Sequence, residues 1–384
     1  MSDEFRRSIL NRLPPMAPTR APWAEPIDDD EEEELDQVGD LKSPPMKKLE
    51  PLSASDFFTQ ALEVAPPGRD TTFRAYLSPP TAPPAQNQRN KQGSYLFCHH
   101  GAGSGALSFA PLAKAVTAKS GGELGVFAYD ARGHGMSCKK KVLMEGKTQS
   151  GNDKDLSLQT LQADLVAVVQ QMWDDAKTAP ALILLGHSMG AAPIVNAAPV
   201  LQELGYTIAG VGVLDVVEGT AVESLHLMKA ILSKRPTEFN SVPEAIGWHV
   251  TSGTIRNETS ARVSVPSIVV PDGNKVVWRT DLMATEPYWE QWYAGLSQKF
   301  LAVKCARFLC LAGQDRLDRD LMVGQMQGKF QQEVMQDVGH YLHEDDPDTL
   351  ATTLVTFWRR NTTVLVLPPK IGASRVEVKH VGQQ

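Results

Sequence analysis

The stretch Ala181-Leu-Ile-Leu-Leu-Gly186-His187-Ser188-Met189-Gly190 decides the fold of this chain. Its first five residues form a short apolar run, which is typical of a strand buried on both faces. The run leads directly into Gly-x-Ser-x-Gly, and a helix of small residues follows. Strand, sharp turn and helix in this order are the context of a nucleophile elbow, where the serine stands exposed at the helix N-terminus. An ordinary glycine-rich turn is the weaker interpretation, so we expect Ser188 to be a catalytic nucleophile.

Similar apolar runs recur on both sides of this stretch, with helical patterns between them. The runs are Tyr95–Cys98, Gly125–Tyr129, Ala181–Leu185, Val211–Leu214 and Arg307–Leu311. Alternation of buried strands with helices predicts an α/β fold with a mostly parallel central sheet and helices on both faces. In such a sheet, reactive groups gather at the carboxyl ends of the strands.

The two ends of the chain differ in composition from its middle. Residues 1–50 are rich in Pro, Asp and Glu, and nine carboxylates between Glu25 and Asp36 leave a net charge of +2 for the remainder. A segment of this kind buries too little apolar surface to offset its ordering entropy. We therefore predict a disordered acidic tail, a folded domain at 51–367 and a C-terminal tail at 368–384.

One long segment of the folded domain, at about 222–300, interrupts the alternation of strand and helix. It holds four of the seven tryptophans: Trp248, Trp278, Trp289 and Trp292. An insertion of this size between two core strands predicts a helical cap over the carboxyl edge of the sheet. The alternative is a second hydrophobic cluster with a purely structural role, and one cap can serve both purposes.

Composition and motifs exclude several classes of function. The near-neutral body of the chain lacks the strongly basic face of a nucleic-acid binder. Neither GxxxxGK[ST] nor a GxGxxG after a strand is present, and the histidines lack metal-ligand spacing. Four cysteines without a disulfide framework, and no apolar run of about 18 residues, favour an intracellular protein without a membrane span. We expect no cofactor, no metal, and no nucleic acid or membrane as partner.

A serine nucleophile needs a base and an acid that orients it. His340 lies after the last predicted strand, where chain order places the base, and the preceding glycine permits a tight loop. His343 is the competitor, three residues further on. Asp215 and Asp315 each follow a strand between the serine and this histidine, and spacing alone does not separate the two acids.

The oxyanion hole should combine the backbone N–H of Met189 with one from an early loop. His99-His100-Gly101-Ala102-Gly103 follows a predicted strand, and Ala102 is the expected donor. A plain strand-to-helix turn is the alternative interpretation of these glycines. The turn Asp130-Ala-Arg-Gly-His134-Gly is interpreted as scaffold, with His134 structural rather than catalytic.

Taken together, the elbow, the HGxG loop and the DxRGHG turn resemble the α/β-hydrolase superfamily. More specific segments, spread over about residues 72–359, resemble the protein phosphatase methylesterase family. They are Leu214-Asp-Val-Val-Glu-Gly219, Ser252-Gly-Thr-Ile-Arg256-Asn257, Ser260-Ala-Arg262-Val-Ser264, Gly313-Gln-Asp-Arg-Leu-Asp318, Gly324-Gln-Met-Gln-Gly-Lys-Phe330 and Gly339-His340. Two alanines, Ala102 and Ala191, stand where the family commonly has glycine.

This resemblance implies a specific activity and partner. The family removes the methyl ester from the C-terminal leucine of the protein phosphatase 2A catalytic subunit, without a cofactor. It implies a triad of Ser188, Asp215 and His340. The methylated phosphatase tail would be the partner of this chain, which we expect to be a monomer in the cytoplasm or the nucleus. Candidate contacts for that tail are cap residues: Trp248, Arg256, Arg262 and Trp289. A general carboxylesterase or lipase of the same fold, and a non-catalytic phosphatase-binding scaffold, are the alternatives.

Overall fold

The computed structural model describes residues 49–139, 141–144, 147–150, 154–313 and 317–364. The predicted tails at 1–50 and 368–384 lie almost wholly outside these ranges, so their predicted disorder stays a prediction. Within the described ranges, no helix combines the length and the apolar character that crossing a bilayer requires.

The described strands are, in chain order, β1 (Gln60–Val64), β2 (Thr71–Ser78), β3 (Ser94–His99), β4 (Leu124–Tyr129), β5 (Cys138–Lys139), β6 (Lys141–Met144), β7 (Lys147–Ser150), β8 (Ala181–His187), β9 (Ile208–Leu214), β10 (Glu238–Phe239), β11 (Val269–Asp272), β12 (Lys275–Trp278), β13 (Ala306–Ala312) and β14 (Gln331–Met335). The described α-helices are α1 (Ala110–Lys119), α2 (Leu158–Met172), α3 (Ala191–Glu203), α4 (Glu218–Ser233), α5 (Val242–Thr251), α6 (Glu258–Ile268), α7 (Trp289–Tyr293), α8 (Leu296–Ala302), α9 (Arg319–Met326), α10 (Leu342–Asp345) and α11 (Pro347–Thr362).

The main sheet has the strand order β1-β2-β4-β3-β8-β9-β13-β14, with β5 paired to β2. The strands from β4 to β14 along this order are parallel, whereas β1 and β2 run antiparallel to their neighbours. All five predicted strands lie within β3, β4, β8, β9 and β13. Since parallel strands end at one edge, the loops after β3, β8, β9 and β13 meet there.

Helices cover both faces of the sheet, because its central strands are apolar on both sides. All seven residues of β8 are buried. Leu182 and Leu184 pack in one cluster with residues of α2 and α3, while Ile183 and Leu185 pack in another with residues of α1 and α11. Alternate side chains of a strand point to opposite faces, and each fully buried leucine contributes about 1.5–3 kcal/mol.

The insertion between β9 and β13 forms the cap. Its helices, from α4 to α8, agree with the predicted helical cap, but it also contains the small antiparallel sheet β10-β12-β11, which was not predicted. The cap has its own apolar cluster, which includes Phe239, Ile246 and Val265, with Trp248 and Trp278 packed against it. Two of its strands hold only four residues and one only two, too few for a clear period in the sequence.

Candidate active site

Ser188 lies in a sharp turn between β8 and α3, as the elbow motif predicts. Its φ is +51°, a left-handed conformation that is rare for a residue with a side chain. Such a conformation costs of order 1–3 kcal/mol and persists only where the surroundings enforce it. The glycines two residues before and two residues after Ser188 explain how the surroundings enforce this conformation. A Cβ on Gly186 would overlap the carbonyl of Gly190, and one on Gly190 would overlap the carbonyl of His99.

Asp215 and His340 form a direct hydrogen bond across 125 residues of sequence. The Nδ1 atom of His340 lies 2.7 Å from Oδ2 of Asp215, and an ionised carboxylate only accepts, so Nδ1–H is the donor. The other oxygen, Oδ1, accepts the backbone N–H of Ala312 at 2.8 Å. The Asp215 side chain is 1% exposed and that of His340 is 23% exposed. The bond to Asp215 therefore takes up Nδ1 and makes Nε2 the nitrogen that can act as a base.

The two competitors identified in the sequence have different outcomes. Asp315 lies outside the described residues, so the structure gives no contact for it. His343 is fully buried and packs between Phe109 and His187, with ring centroids 4.6 and 4.5 Å away. Burial, with a smaller effect of His340, lowers the pKa of His343 to about 3. It is therefore a neutral core residue, and the hydrogen bond to Asp215 comes from His340.

The loop that carries His340 is held from two sides. His187 donates through Nε2 to the carbonyl of His340 at 2.8 Å. Burial, followed by the nearby His343 and His340, keeps the pKa of His187 well below its usual value, so the ring is neutral. On the other side, Asp345 accepts the backbone N–H of Gly339 at 2.7 Å and that of Arg256 at 2.8 Å. Asp345 thereby links the histidine loop to the cap.

The glycine-rich loop after β3 lies directly against the elbow. A Cβ on Gly101 would come within 2.8 Å of His187 Nδ1 and 3.1 Å of Ser188 Cβ. Ala102 borders the same cavity as Ser188, and Met189 is buried in the turn that follows the serine. Both residues predicted for the oxyanion hole are thus adjacent to Ser188.

The DxRGHG turn supports this loop, in agreement with its interpretation as scaffold. Nε2 of His134 accepts the N–H of Gly103 at 3.0 Å. Burial lowers the pKa of His134 to about 4, which keeps the ring neutral and able to accept. Asp130 accepts the backbone N–H groups of Ala106 and Met136, both at 2.7 Å.

A cavity of about 830 Å³ lies between the sheet edge and the cap. Ser188, Asp215 and His340 border it from the sheet side. Three of the four cap tryptophans also line it, namely Trp248, Trp289 and Trp292, and so does Arg256. Arg262 does not belong to the lining: its Nε donates to the carbonyl of Glu50 at 2.7 Å, and it pairs with Glu258 at 3.7 Å.

One residue at the Ser188 end of the cavity, Tyr293, was not predicted from the sequence. It lines the cavity at the end of α7. Burial raises the pKa of its hydroxyl, while a hydrogen bond with Ser188 acts in the opposite direction. No motif marks this tyrosine, because its position depends on how the cap folds back over the sheet.

Within the described ranges, no three His, Cys, Asp or Glu side chains are grouped so that they could hold a metal ion. The chemistry available at the cavity from those residues is that of a serine hydroxyl, an imidazole fixed by a carboxylate, and backbone N–H groups.

Comparison with known proteins gives a consistent result. Residues 96–353 match the family described as alpha/beta hydrolase family. A relative from Cryptococcus neoformans, named protein phosphatase methylesterase 1, is 57% identical, with both chains covered in full. A relative of the same name from Aspergillus oryzae is 38% identical over 97% of this chain and 92% of its own. The crystal structure of E-2-(acetamidomethylene)succinate hydrolase has a TM-score of 0.58 and 17% identity, covering 78% of this chain and 98% of its own, which supports the fold alone.

Proposed function

Because this chain belongs to the protein phosphatase methylesterase family of α/β-hydrolases and is a carboxylic ester hydrolase, we propose that it removes the methyl ester from the C-terminal leucine of the protein phosphatase 2A catalytic subunit. The observation that carries the proposal is the 2.7 Å hydrogen bond between His340 and Asp215, at the cavity that Ser188 also borders. The relatives from Cryptococcus neoformans and Aspergillus oryzae support the substrate, since their name refers to a protein phosphatase and a methyl ester.

In the first half of the reaction, the Ser188 hydroxyl attacks the carbonyl carbon of the leucyl ester. His340 accepts the hydroxyl proton on Nε2, because Asp215 occupies its Nδ1–H. The carboxylate fixes the imidazole tautomer and stabilises the positive charge that forms. The tetrahedral oxyanion is stabilised by the backbone N–H groups of Met189 and Ala102. Collapse of this intermediate releases methanol, which takes the proton from His340, and leaves an acyl-enzyme on Ser188.

In the second half, water repeats the same steps. His340 accepts a proton from the attacking water, and the new tetrahedral intermediate releases Ser188 with that proton returned. The products are methanol and the leucine carboxylic acid, which loses its proton to solvent at neutral pH. The chemistry consumes one water, and each proton passes through the single nitrogen Nε2 of His340.

The cap supplies the remaining part of the proposal. A leucine methyl ester fills only a small part of an 830 Å³ cavity, so several residues of a peptide tail have room beside the aromatic wall. Trp248, Trp289 and Arg256 line this space, and large aromatic residues and arginine most often dominate interfaces. Arg262 bonds to Glu50 and Glu258 instead, so it is not one of the proposed tail contacts.

The direct test is incubation of the protein with carboxymethylated phosphatase, followed by mass spectrometry of the C-terminal peptide. We expect loss of the methyl group with the wild-type protein and none with Ser188→Ala. Hydrolysis of small esters without demethylation of the phosphatase would identify a general esterase instead. If the folded protein hydrolyses no ester at all, the remaining alternative is a non-catalytic phosphatase-binding scaffold.

A further inference from the structure

Arg235 occupies a fixed position in the wall of the cavity. It follows the end of α4, and its guanidinium carbon lies 3.7 Å from the ring centroid of Trp278. The same indole donates through Nε1 to the carbonyl of Pro236 at 2.7 Å, so both the side chain and the adjacent backbone are held. A guanidinium stacked in this way is pre-oriented and loses little freedom when it binds a ligand.

The charge of Arg235 has no counterion in the described part of the chain. None of the ion pairs or hydrogen bonds found there joins this guanidinium to a carboxylate. Arg132 shows the contrast, because it pairs with both Asp70 and Asp164. Partial burial lowers the pKa of Arg235, and only the nearby Tyr341 hydroxyl acts against this. A partly desolvated cation without a partner is costly, and an anionic ligand removes that cost.

The cavity as a whole favours an anion at this end. Lys234 and Arg256 also line it, while Asp215 is the one carboxylate among the described lining residues. Asp215 is not available to neutralise them, because its two oxygens bond to His340 and Ala312. Arg256 lies beside the carboxylate of Asp345, so the excess positive charge of the described wall belongs to Lys234 and Arg235.

We propose that Arg235 determines specificity by pairing with a carboxylate side chain of the substrate peptide, an aspartate or glutamate upstream of the C-terminal ester. This inference rests on the proposed function, since it assumes that a peptide ester enters the cavity. Planar guanidinium and carboxylate groups form paired, charge-assisted hydrogen bonds, which give geometric selectivity as well as affinity. The leucine carboxylate formed by the reaction offers Arg235 the same kind of charge-assisted hydrogen bonds. The test distinguishes this product carboxylate from the side-chain carboxylate.

The test uses synthetic peptides that end in leucine methyl ester and carry one Asp, two to four residues before the leucine. Each is matched with a peptide that carries Asn at the same position. For the wild-type protein we expect kcat/KM to be roughly tenfold to hundredfold higher for Asp than for Asn at one position. Arg235→Gln should bring this Asp/Asn ratio to about 1, and Arg235→Lys should retain part of it.

The matched control is Lys229→Gln, which removes one positive charge from an exposed side chain of α4 that lies outside the cavity lining and pairs with Glu286 at 2.7 Å. It should keep the wild-type ratio. Because each ratio compares two peptides on one protein, a general loss of activity in a variant cancels. A wild-type ratio near 1 at every position, or an equal ratio in wild type and Arg235→Gln, would overturn the proposal.

A competition arm keeps this inference separate from the proposed function. The same peptides, as C-terminal amides, compete with hydrolysis of p-nitrophenyl acetate, and their inhibition constants need no methyl ester cleavage. If Asp amides inhibit more strongly than Asn amides, and Arg235→Gln abolishes this difference, the carboxylate site at Arg235 is supported even if leucine esters are not cleaved. Peptides with Asn and a free C-terminal carboxylate test whether Arg235 binds the product carboxylate. If Arg235→Gln weakens inhibition by these free-acid peptides but not inhibition by the Asp amides, Arg235 binds the product carboxylate and the proposal is wrong.

Discussion

The carboxyl edge of the sheet and the wall of the cap face each other across one cavity, yet they are built from different contacts. At the edge, glycine backbones are packed so closely that added methyl groups at Gly186 and Gly190 would overlap carbonyl groups. In the wall, bulky side chains leave 830 Å³ of open space. The edge therefore leaves the backbone around Ser188 little room to move, as bond-making chemistry requires. The wall offers surface that selects among ligands.

The edge should respond to substitution with losses of turnover for every ester. The largest effect is expected from Ser188→Ala, which removes the proposed nucleophilic hydroxyl and changes the packing of the turn very little. Its turnover should fall by roughly 10⁴-fold or more, because no other group takes over the attack. Steady-state hydrolysis of p-nitrophenyl acetate measures this, with the melting temperature as the check on folding. Turnover near the wild-type value would rule out the serine mechanism.

Asp215→Asn should come second, with a loss of about 10⁴-fold in kcat, since an amide favours the wrong imidazole tautomer. Asp315→Asn is the matched control and should cost far less. Its side chain lies outside the described residues, so this pair of variants decides between the two acids that the sequence left open. A greater loss in a folded Asp315→Asn protein would reverse the assignment.

A pair of glycine variants tests the difference in packing. Gly190→Ala, at the edge, should lower the free energy of unfolding by about 3 kcal/mol, because the carbonyl of His99 cannot move away. Gly273→Ala, in the cap, meets no atom within 4 Å, and its φ of +57° alone should cost about 1 kcal/mol. Denaturant unfolding measures both values. Equal destabilisation would contradict the contrast between edge and cap.

Tyr293 is the place where the two regions are not independent, since this cap side chain interacts with Ser188, the proposed nucleophile. Tyr293→Phe removes the hydroxyl that interacts with Ser188 and keeps the ring. We expect a decrease of up to about tenfold in kcat for peptide and small esters alike. Tyr288→Phe, in the same cap segment but outside the cavity lining, is the control. A loss confined to the peptide would show that Tyr293 acts only in recognition.

The sheet edge and the cap also differ in how much of each could be predicted from the sequence. The elbow was predictable because its determinants lie within ten residues, from the buried run Ala181–Leu185 to Gly190. His340 followed from chain order and its preceding glycine. Spacing alone did not predict the choice between Asp215 and Asp315, since it depends on how the loops after β9 and β13 approach the histidine in space; only the family resemblance implied Asp215.

The cap was predictable only in outline. Its tryptophans and its position in the chain indicated an insertion, but β10 to β12 are too short to show alternation. Arg235 and Tyr293 carry no motif, because their roles arise from contacts with Trp278 and Ser188 that are distant in sequence. Arg256 and Arg262 looked equivalent in sequence, and tertiary packing directs only Arg256 to the cavity.

The central claim is that chemistry belongs to the sheet edge and selection to the cap. It is tested most directly by the ratio of kcat/KM for a leucine methyl ester peptide to that for N-acetylleucine methyl ester, which has the same leaving group without the peptide, in Asp215→Asn and Arg256→Ala. Asp215→Asn should lower both values and keep the wild-type ratio, whereas Arg256→Ala, an exposed side chain of the wall, should lower the ratio by about fivefold. A ratio that changes in Asp215→Asn and stays constant in Arg256→Ala would contradict the account.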